Sequence, residues 1–227
     1  MIKENLIKIN SRIRAAANGS RFSNKITLVA VSKSRSIEEI MQAYEMGIRD
    51  FGENRVQELC DKFYKLPDDI RWHLIGHLQR NKVKAVIDKA WLIHSVDSFR
   101  LADKIREQAS AINKNADILI QVNISGEESK SGVTKNETID LIRSVAALPN
   151  IRIRGLMTMA PICDNPEDCR DVFRQLTNLS IDINALNIDN AYMEFLSMGM
   201  SDDFEVAIDE GSNLVRIGTS IFGQRNY

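Results

Sequence analysis

The feature that most constrains this chain is a regular alternation. Apolar, β-rich runs appear at Ile26–Ser32, Asp50–Gly52, Trp72–Gly76, Trp91–Val96, Ile118–Ile124, Ile151–Met159, Tyr192–Met198 and Leu214–Phe222. Between them lie stretches with helical spacing, at Ile37–Met46, Val56–Leu66, Gln79–Ile87, Phe99–Ile112, Ile139–Leu148, Asp168–Leu186 and Phe204–Ile208. Strands that alternate with helices pair in parallel through right-handed crossovers, and eight such units close naturally into a barrel. One more helix precedes them, with Ile2, Leu6, Ile9, Ile13 and Ala17 at steps of three or four and a stop at Asn18-Gly19-Ser20. It can take the place of a helix after the eighth strand. The expected fold is α/β: a single (β/α)8 TIM barrel with an extra N-terminal helix, forming one domain over residues 1–227. A doubly wound open sheet is the alternative. Its usual Gly-rich turn after the first strand is replaced here by Ser32-Lys33-Ser34-Arg35.

Charge and cysteine usage narrow the class. The 30 basic and 31 acidic residues nearly cancel, leaving a formal net charge of -1, so a polyanionic partner such as nucleic acid is not expected. No segment approaches ~18 uninterrupted apolar residues, so no membrane span is expected. Lys and Glu interrupt the apolar pattern of the N-terminus, unlike a signal peptide. Cys60, Cys163 and Cys169 form no CxxC pair and read as free thiols of a reducing, cytoplasmic setting. A disulfide between Cys163 and Cys169, which flank an acidic stretch, is the minor alternative. No heptad or apolar stripe calls for an oligomer, and a monomer or weak dimer is expected.

Barrel sites sit at the C-terminal ends of the strands. The first run exits into Lys33, which shares a face with Thr27, Val29 and Val31 by period two. A lysine there is either a solvated strand-exit residue or, if partly desolvated, an amine suited to Schiff-base chemistry. The seventh run exits into Ser197-Met198-Gly199-Met200-Ser201, and the eighth carries Arg216-Ile217-Gly218-Thr219. Loops after the seventh and eighth strands commonly bind phosphate through backbone N–H groups. Glycines there allow close approach, and hydroxyls add donors. The same residues also suit ordinary turns and caps. Arg216 lies between Val215 and Ile217, so its guanidinium needs a buried acceptor. That acceptor is either a structural carboxylate or the pyridine nitrogen of pyridoxal phosphate (PLP), for which Arg is one known partner. Lysine, phosphate cup and inward arginine are the three handles PLP requires. A reading without PLP is an aldolase in which Lys33 attacks a phosphorylated carbonyl. His73, His77 and His94 show no metal-like pairing, and no metal is expected.

Beyond these handles, the chain resembles the YggS/PROSC family of PLP-binding proteins, also called PLP homeostasis proteins. The resemblance rests on Ala30-Val31-Ser32-Lys33, on Phe51-Gly52-Glu53-Asn54 with Val56-Gln57-Glu58, and on Trp72-His73-Leu74-Ile75-Gly76 with Leu78-Gln79 and Asn81-Lys82. Ser129-Lys130-Ser131-Gly132, Arg154-Gly155-Leu156-Met157, Leu196 to Asp203 and Val215 to Gly223 extend it. Arg55 and His77 depart from the usual pattern, which has an aromatic residue and proline there. The resemblance implies a barrel like the alanine racemase N-terminal domain, with PLP held on Lys33 as a Schiff base and Arg216 facing the ring nitrogen. Ser197, Ser201, Gly218 and Thr219 fall at its phosphate site, and Asn54 beside the cofactor.

The expected role is binding rather than catalysis, so no residue is assigned as catalytic. Alanine racemases take a second base, a tyrosine, from a further C-terminal β domain of the partner chain, and that domain is expected to be absent here. An arginine partner leaves the pyridine nitrogen largely unprotonated and weakens the electron sink. The chain is thus expected to carry or regulate PLP for intracellular PLP homeostasis, yielding it to PLP-requiring apo-enzymes. Lys130 is a candidate second amine, or simply a solvated loop lysine. The alternative is an amino-acid racemase or lyase using the same Schiff base.

Overall fold

The computed structural model describes residues 1–20, 25–127, 130–161 and 163–224. Eight parallel strands close on themselves: β1 (Thr27–Val31), β2 (Asp50–Glu53), β3 (Arg71–Leu74), β4 (Ala90–Val96), β5 (Ala116–Asn123), β7 (Ile151–Met157), β8 (Ala191–Ser197) and β9 (Leu214–Ile217). Closure comes from β1 pairing with both β2 and β9, and from β4 pairing with β5. This is the barrel that the alternation predicts. A two-residue strand, β6 (Val133–Thr134), adds outside the barrel on the end of β5 and was not foreseen.

Local chemistry explains most element boundaries. Helix α1 (Ile2–Gly19) buries Ile2, Leu6, Ile9 and Ile13. It packs on α2 (Ile37–Glu45), α8 (Phe204–Asp209) and α9 (Thr219–Phe222), closing the side between the last and first strands. Helix α2 starts with a full capping box: the Ser36 hydroxyl accepts from the Glu39 N–H, and the Glu39 carboxylate accepts from the Ser36 N–H. Helices α3 (Val56–Phe63), α5 (Phe99–Ala111), α6 (Thr138–Ala146) and α7 (Arg170–Ala185) follow their strands as expected. The stretch near Gln79–Ile87 is a 3-10 turn, Arg80–Lys82, running into α4 (Val83–Val86).

The final expected strand, Leu214–Phe222, is the one clear misreading. It is strand only to Ile217. The chain then turns at Gly218, whose carbonyl accepts from the N–H groups of Ile221 and Phe222, and continues as α9. Thr219-Ser220-Ile221-Phe222 is β-rich in composition, but Ile221 and Phe222 bury against the helix layer instead.

Two apolar regions hold the barrel. The larger lies between strands and helices and includes Trp72, Phe51, Phe173 and Leu59. The smaller is inside the barrel, where Val29, Leu92, Leu119, Met157 and Leu214 pack together with Phe195 against them. Side chains therefore fill the lumen in layers rather than leaving a pore. Leu119 is fully buried in that inner layer. Leu119→Ala is expected to lower the unfolding free energy by about 2–5 kcal/mol. Urea denaturation will show this as a lower midpoint at unchanged slope.

Candidate functional site

Beside these apolar residues the lumen holds a run of polar ones. Arg216, on β9, is 5% exposed, and its neighbours His73, His94 and Ser197 are wholly buried. One guanidinium nitrogen donates to the Ser197 hydroxyl and the other to the Thr158 carbonyl, at 2.9 Å for the latter. His94 Nδ1 lies 2.9 Å from Ser197 Oγ, and His94 Nε2 lies 2.9 Å from His73 Nδ1. His73 Nε2 is 3.0 Å from Asp50 Oδ1, and Arg71 Nε donates to the same carboxylate at 2.7 Å.

Donor and acceptor capacities fix the direction of this column. Arginine only donates and a carboxylate only accepts. With both imidazoles neutral, His73 must donate to Asp50 and so accept from His94, which in turn accepts from Ser197. The column runs Arg216 to Ser197 to His94 to His73 to Asp50, with every link satisfied. Burial works against the Asp50 carboxylate, but its bonds to Arg71 and His73 win and hold it at about 2. Burial pulls Arg216 down to about 10 against the attraction of Asp203. It therefore stays protonated near neutral pH.

Arg216 also faces a cavity of about 530 Å³ at the C-terminal mouth of the barrel. That volume lies within the range of small-molecule and cofactor sites. Lys33 lines it, from a turn two residues beyond the end of β1 rather than from the strand itself. Asn54, immediately after β2, Ser201, Gly218 and Thr219 line it too. Six of the seven expected site residues are thus brought together. Ser197 is not on the cavity wall; its hydroxyl sits between Arg216 and His94. Its expected place in the phosphate cup is corrected to a support for Arg216. Gly199 also serves differently from the expectation of close ligand approach. It has φ +90°, and a Cβ there would lie 2.6 Å from the Ala207 Cβ, so glycine is needed for α8 to pack.

The remaining walls come from residues to which the sequence reading assigns no place in the site. Gln121 and Asn123 leave β5, Met159 follows β7, and Ile75 and His77 follow β3. Gly76 belongs to the same rim because a Cβ there would sit 2.3 Å from the Asn54 carbonyl oxygen. The available signal is period two: Gln121 and Asn123 continue the inward series of β5 to its last residue, and Met159, Ile75 and His77 continue those of β7 and β3 past their ends. The wall is cationic, with Lys33, Arg35, Lys130 and Arg216 against Asp202. Arg35 bonds Glu39 and the Gly223 carbonyl, and Lys130 bonds Glu127 at 3.0 Å. The site is built for an anionic ligand of moderate size, with an amine on its wall and a buried guanidinium at its base.

Fold and site together define a class: a barrel of the alanine racemase type with a lysine at its mouth. The family described as alanine racemase, N-terminal domain, matches residues 5–226. The pyridoxal phosphate homeostasis protein of Aquifex aeolicus is 44% identical over 226 residues, covering 99% of this chain and 98% of that protein. A solved Bifidobacterium adolescentis protein superposes with TM-score 0.93 at 36% identity, over 97% of this chain and 94% of that one. PipY of Synechococcus elongatus, solved with PLP bound, gives TM-score 0.86 at 32% identity, over 98% and 100%. The chain belongs to the alanine racemase N-terminal domain family and, within it, to the pyridoxal phosphate homeostasis proteins.

The histidine column makes stability depend on pH. Desolvation pulls His73 below its ordinary 6.5 in spite of Asp50, and pulls His94 well below it, with His73 and Arg216 adding to the effect. In the unfolded chain both protonate near 6.5. As pH falls below that value the unfolded state binds the extra protons, and stability present above 6.5 is progressively lost. Asp50, held at about 2, gives up its share only below its ordinary 3.8. The urea midpoint is therefore expected to fall between about pH 7 and about pH 5, with a smaller fall in His94→Gln.

Proposed function

We propose that this protein binds PLP and holds it on Lys33 as a Schiff base, as a carrier or regulator of the cofactor rather than a catalyst. The observation that carries this reading is convergence: Lys33, Arg216 and the Ser201, Gly218 and Thr219 cluster all face one cavity. Bound PLP supplies an aldehyde to which a lysine amine can add with loss of water. Lys33 provides the amine. Ser201 and Thr219 offer hydroxyl donors to the phosphate, and Gly218 lets the backbone come close. Arg216 meets the ring nitrogen, and Asn54 stands beside the ring. The printed identities of the relatives, and the PLP in PipY, support the same cofactor here.

The ring partner favours holding over transforming. Arg216 is protonated and can only donate, so a ring nitrogen facing it must accept and remain unprotonated. An unprotonated ring stabilises negative charge at a substrate carbon poorly. Release is eased by a second amine on the same wall, Lys130. The receivers are PLP-requiring apo-enzymes of a cytoplasmic setting. No helix among the described residues is long and apolar enough to cross a membrane.

Borohydride reduction of PLP-loaded protein followed by peptide mapping is expected to place a pyridoxyl adduct on Lys33. The visible colour of the loaded protein is expected to be absent in Lys33→Ala. An adduct confined to other lysines would sink the assignment. With amino acids in D2O, deuterium uptake at Cα is expected to be no faster than with free PLP. Fast uptake lost in Lys33→Ala would favour a racemase or lyase instead.

A further inference from the structure

Directly behind the Lys33 turn, outside the cavity wall, lies a cluster that the binding site does not use. Lys62, on α3, has a side chain only 8% exposed. Its ammonium donates to the Ser32 carbonyl at 2.8 Å, to Glu53 at 2.8 Å and to Glu58 at 2.7 Å. Glu53 is wholly buried, accepts from the Ser32 hydroxyl at 2.6 Å, and has its second carboxylate oxygen buried without a hydrogen-bond partner among the described residues. Glu58 accepts the Ser34 N–H.

These bonds meet at one point in the chain. The Ser32 carbonyl belongs to the peptide group before Lys33, and the Ser34 N–H to the peptide group after it. Both are held by one i, i+4 pair, Glu58 and Lys62, on a single helix. The turn they hold is a tight one: the Arg35 N–H donates to the Ser32 carbonyl at 3.0 Å, and Ser34 has φ +61°. A non-glycine residue there is uncommon and persists where its surroundings over-determine it. Charge-assisted bonds from a nearly buried lysine and its paired carboxylate supply that determination.

We propose that Glu58 and Lys62 are positioning residues for Lys33. By clamping both flanking peptide groups they aim the Lys33 amine at the cavity, and so set what share of bound PLP is held covalently rather than by phosphate and ring contacts alone. The proposal rests on the PLP reading given above. The covalent step joins Lys33 Nζ to the aldehyde carbon, breaks the carbon–oxygen bond and releases water. The clamp alters its equilibrium, not its chemistry.

Glu58→Ala removes the acceptor of the Ser34 N–H from a helix position whose side chain is 23% exposed. Glu58→Gln keeps a carbonyl acceptor. In apo-protein, the Ser34 amide is expected to exchange with D2O faster in Glu58→Ala than in wild type. In PLP-loaded protein, total bound PLP by equilibrium dialysis is expected to hold, while the ratio of borohydride-fixed to unfixed PLP falls by about fivefold. Glu58→Gln is expected to recover most of that loss. An unchanged covalent share in Glu58→Ala, with the wild-type adduct on Lys33, overturns the clamp and leaves the PLP reading standing. A parallel loss of total binding and thermal stability at constant covalent share also overturns it, since that marks a structural role only. A wild-type protein with no adduct on Lys33 overturns the PLP reading and the clamp with it.

Discussion

The buried guanidinium of Arg216 is the constraint on which the site depends. A charge that is 5% exposed inside a barrel is costly unless its donors are met. Here the compensation is spread along a column of polar groups that ends on a carboxylate low in the lumen. Because arginine cannot accept and Asp50 cannot donate, neutral histidines between them have one consistent set of tautomers. The column therefore fixes the orientation of Ser197 and, through it, of Arg216. A guanidinium held in this way is a rigid donor at the base of the cavity.

Barrel geometry turns that column into a site. Alternate residues on each strand point inward, so the lumen is a stack of layers. Inside the barrel Val29, Leu92, Leu119, Met157 and Leu214 pack side by side with the polar column, and at the C-terminal mouth the strand exits leave a cavity. Each exit contributes what its chain allows. The β1 exit offers the Lys33 amine on a strained turn. Small residues come from the β8 and β9 exits, and the β5 exit gives amide side chains. The helix layer supports these exits from outside, as α3 does for the Lys33 turn through Lys62 and Glu58.

Much of this was legible in the sequence, because the signals were local. The βα alternation, the Ser36 cap, the amphipathic leading helix and the lysine at the first strand exit are all written over short windows. Arg216 stood out because a charge interrupts an apolar run. What escaped was long-range. His94 meets Ser197 across 103 residues, and no spacing rule connects them, so the histidines read as bland. Ser197 falls at the end of a strand, where both the barrel pattern and the resemblance put a phosphate cup, but its hydroxyl is claimed by the column. Glu53 and Glu58 stand in the motif segments of the resemblance, but nothing local ties them to Lys62 or to the Lys33 turn. The run from Leu214 to Phe222 reads as one strand by composition. Only the turn at Gly218 and the burial of Ile221 and Phe222 against helices divide it.

The central claim is that one cavity holds PLP between Lys33, Arg216 and the turn at Gly218. A crystal structure of the protein grown with PLP tests it most directly. The account predicts continuous density from Lys33 Nζ to the cofactor, with the ring nitrogen on Arg216 and the phosphate among Ser201, Gly218 and Thr219. PLP density elsewhere on the molecule, or in this cavity with its phosphate on Arg216, would contradict it.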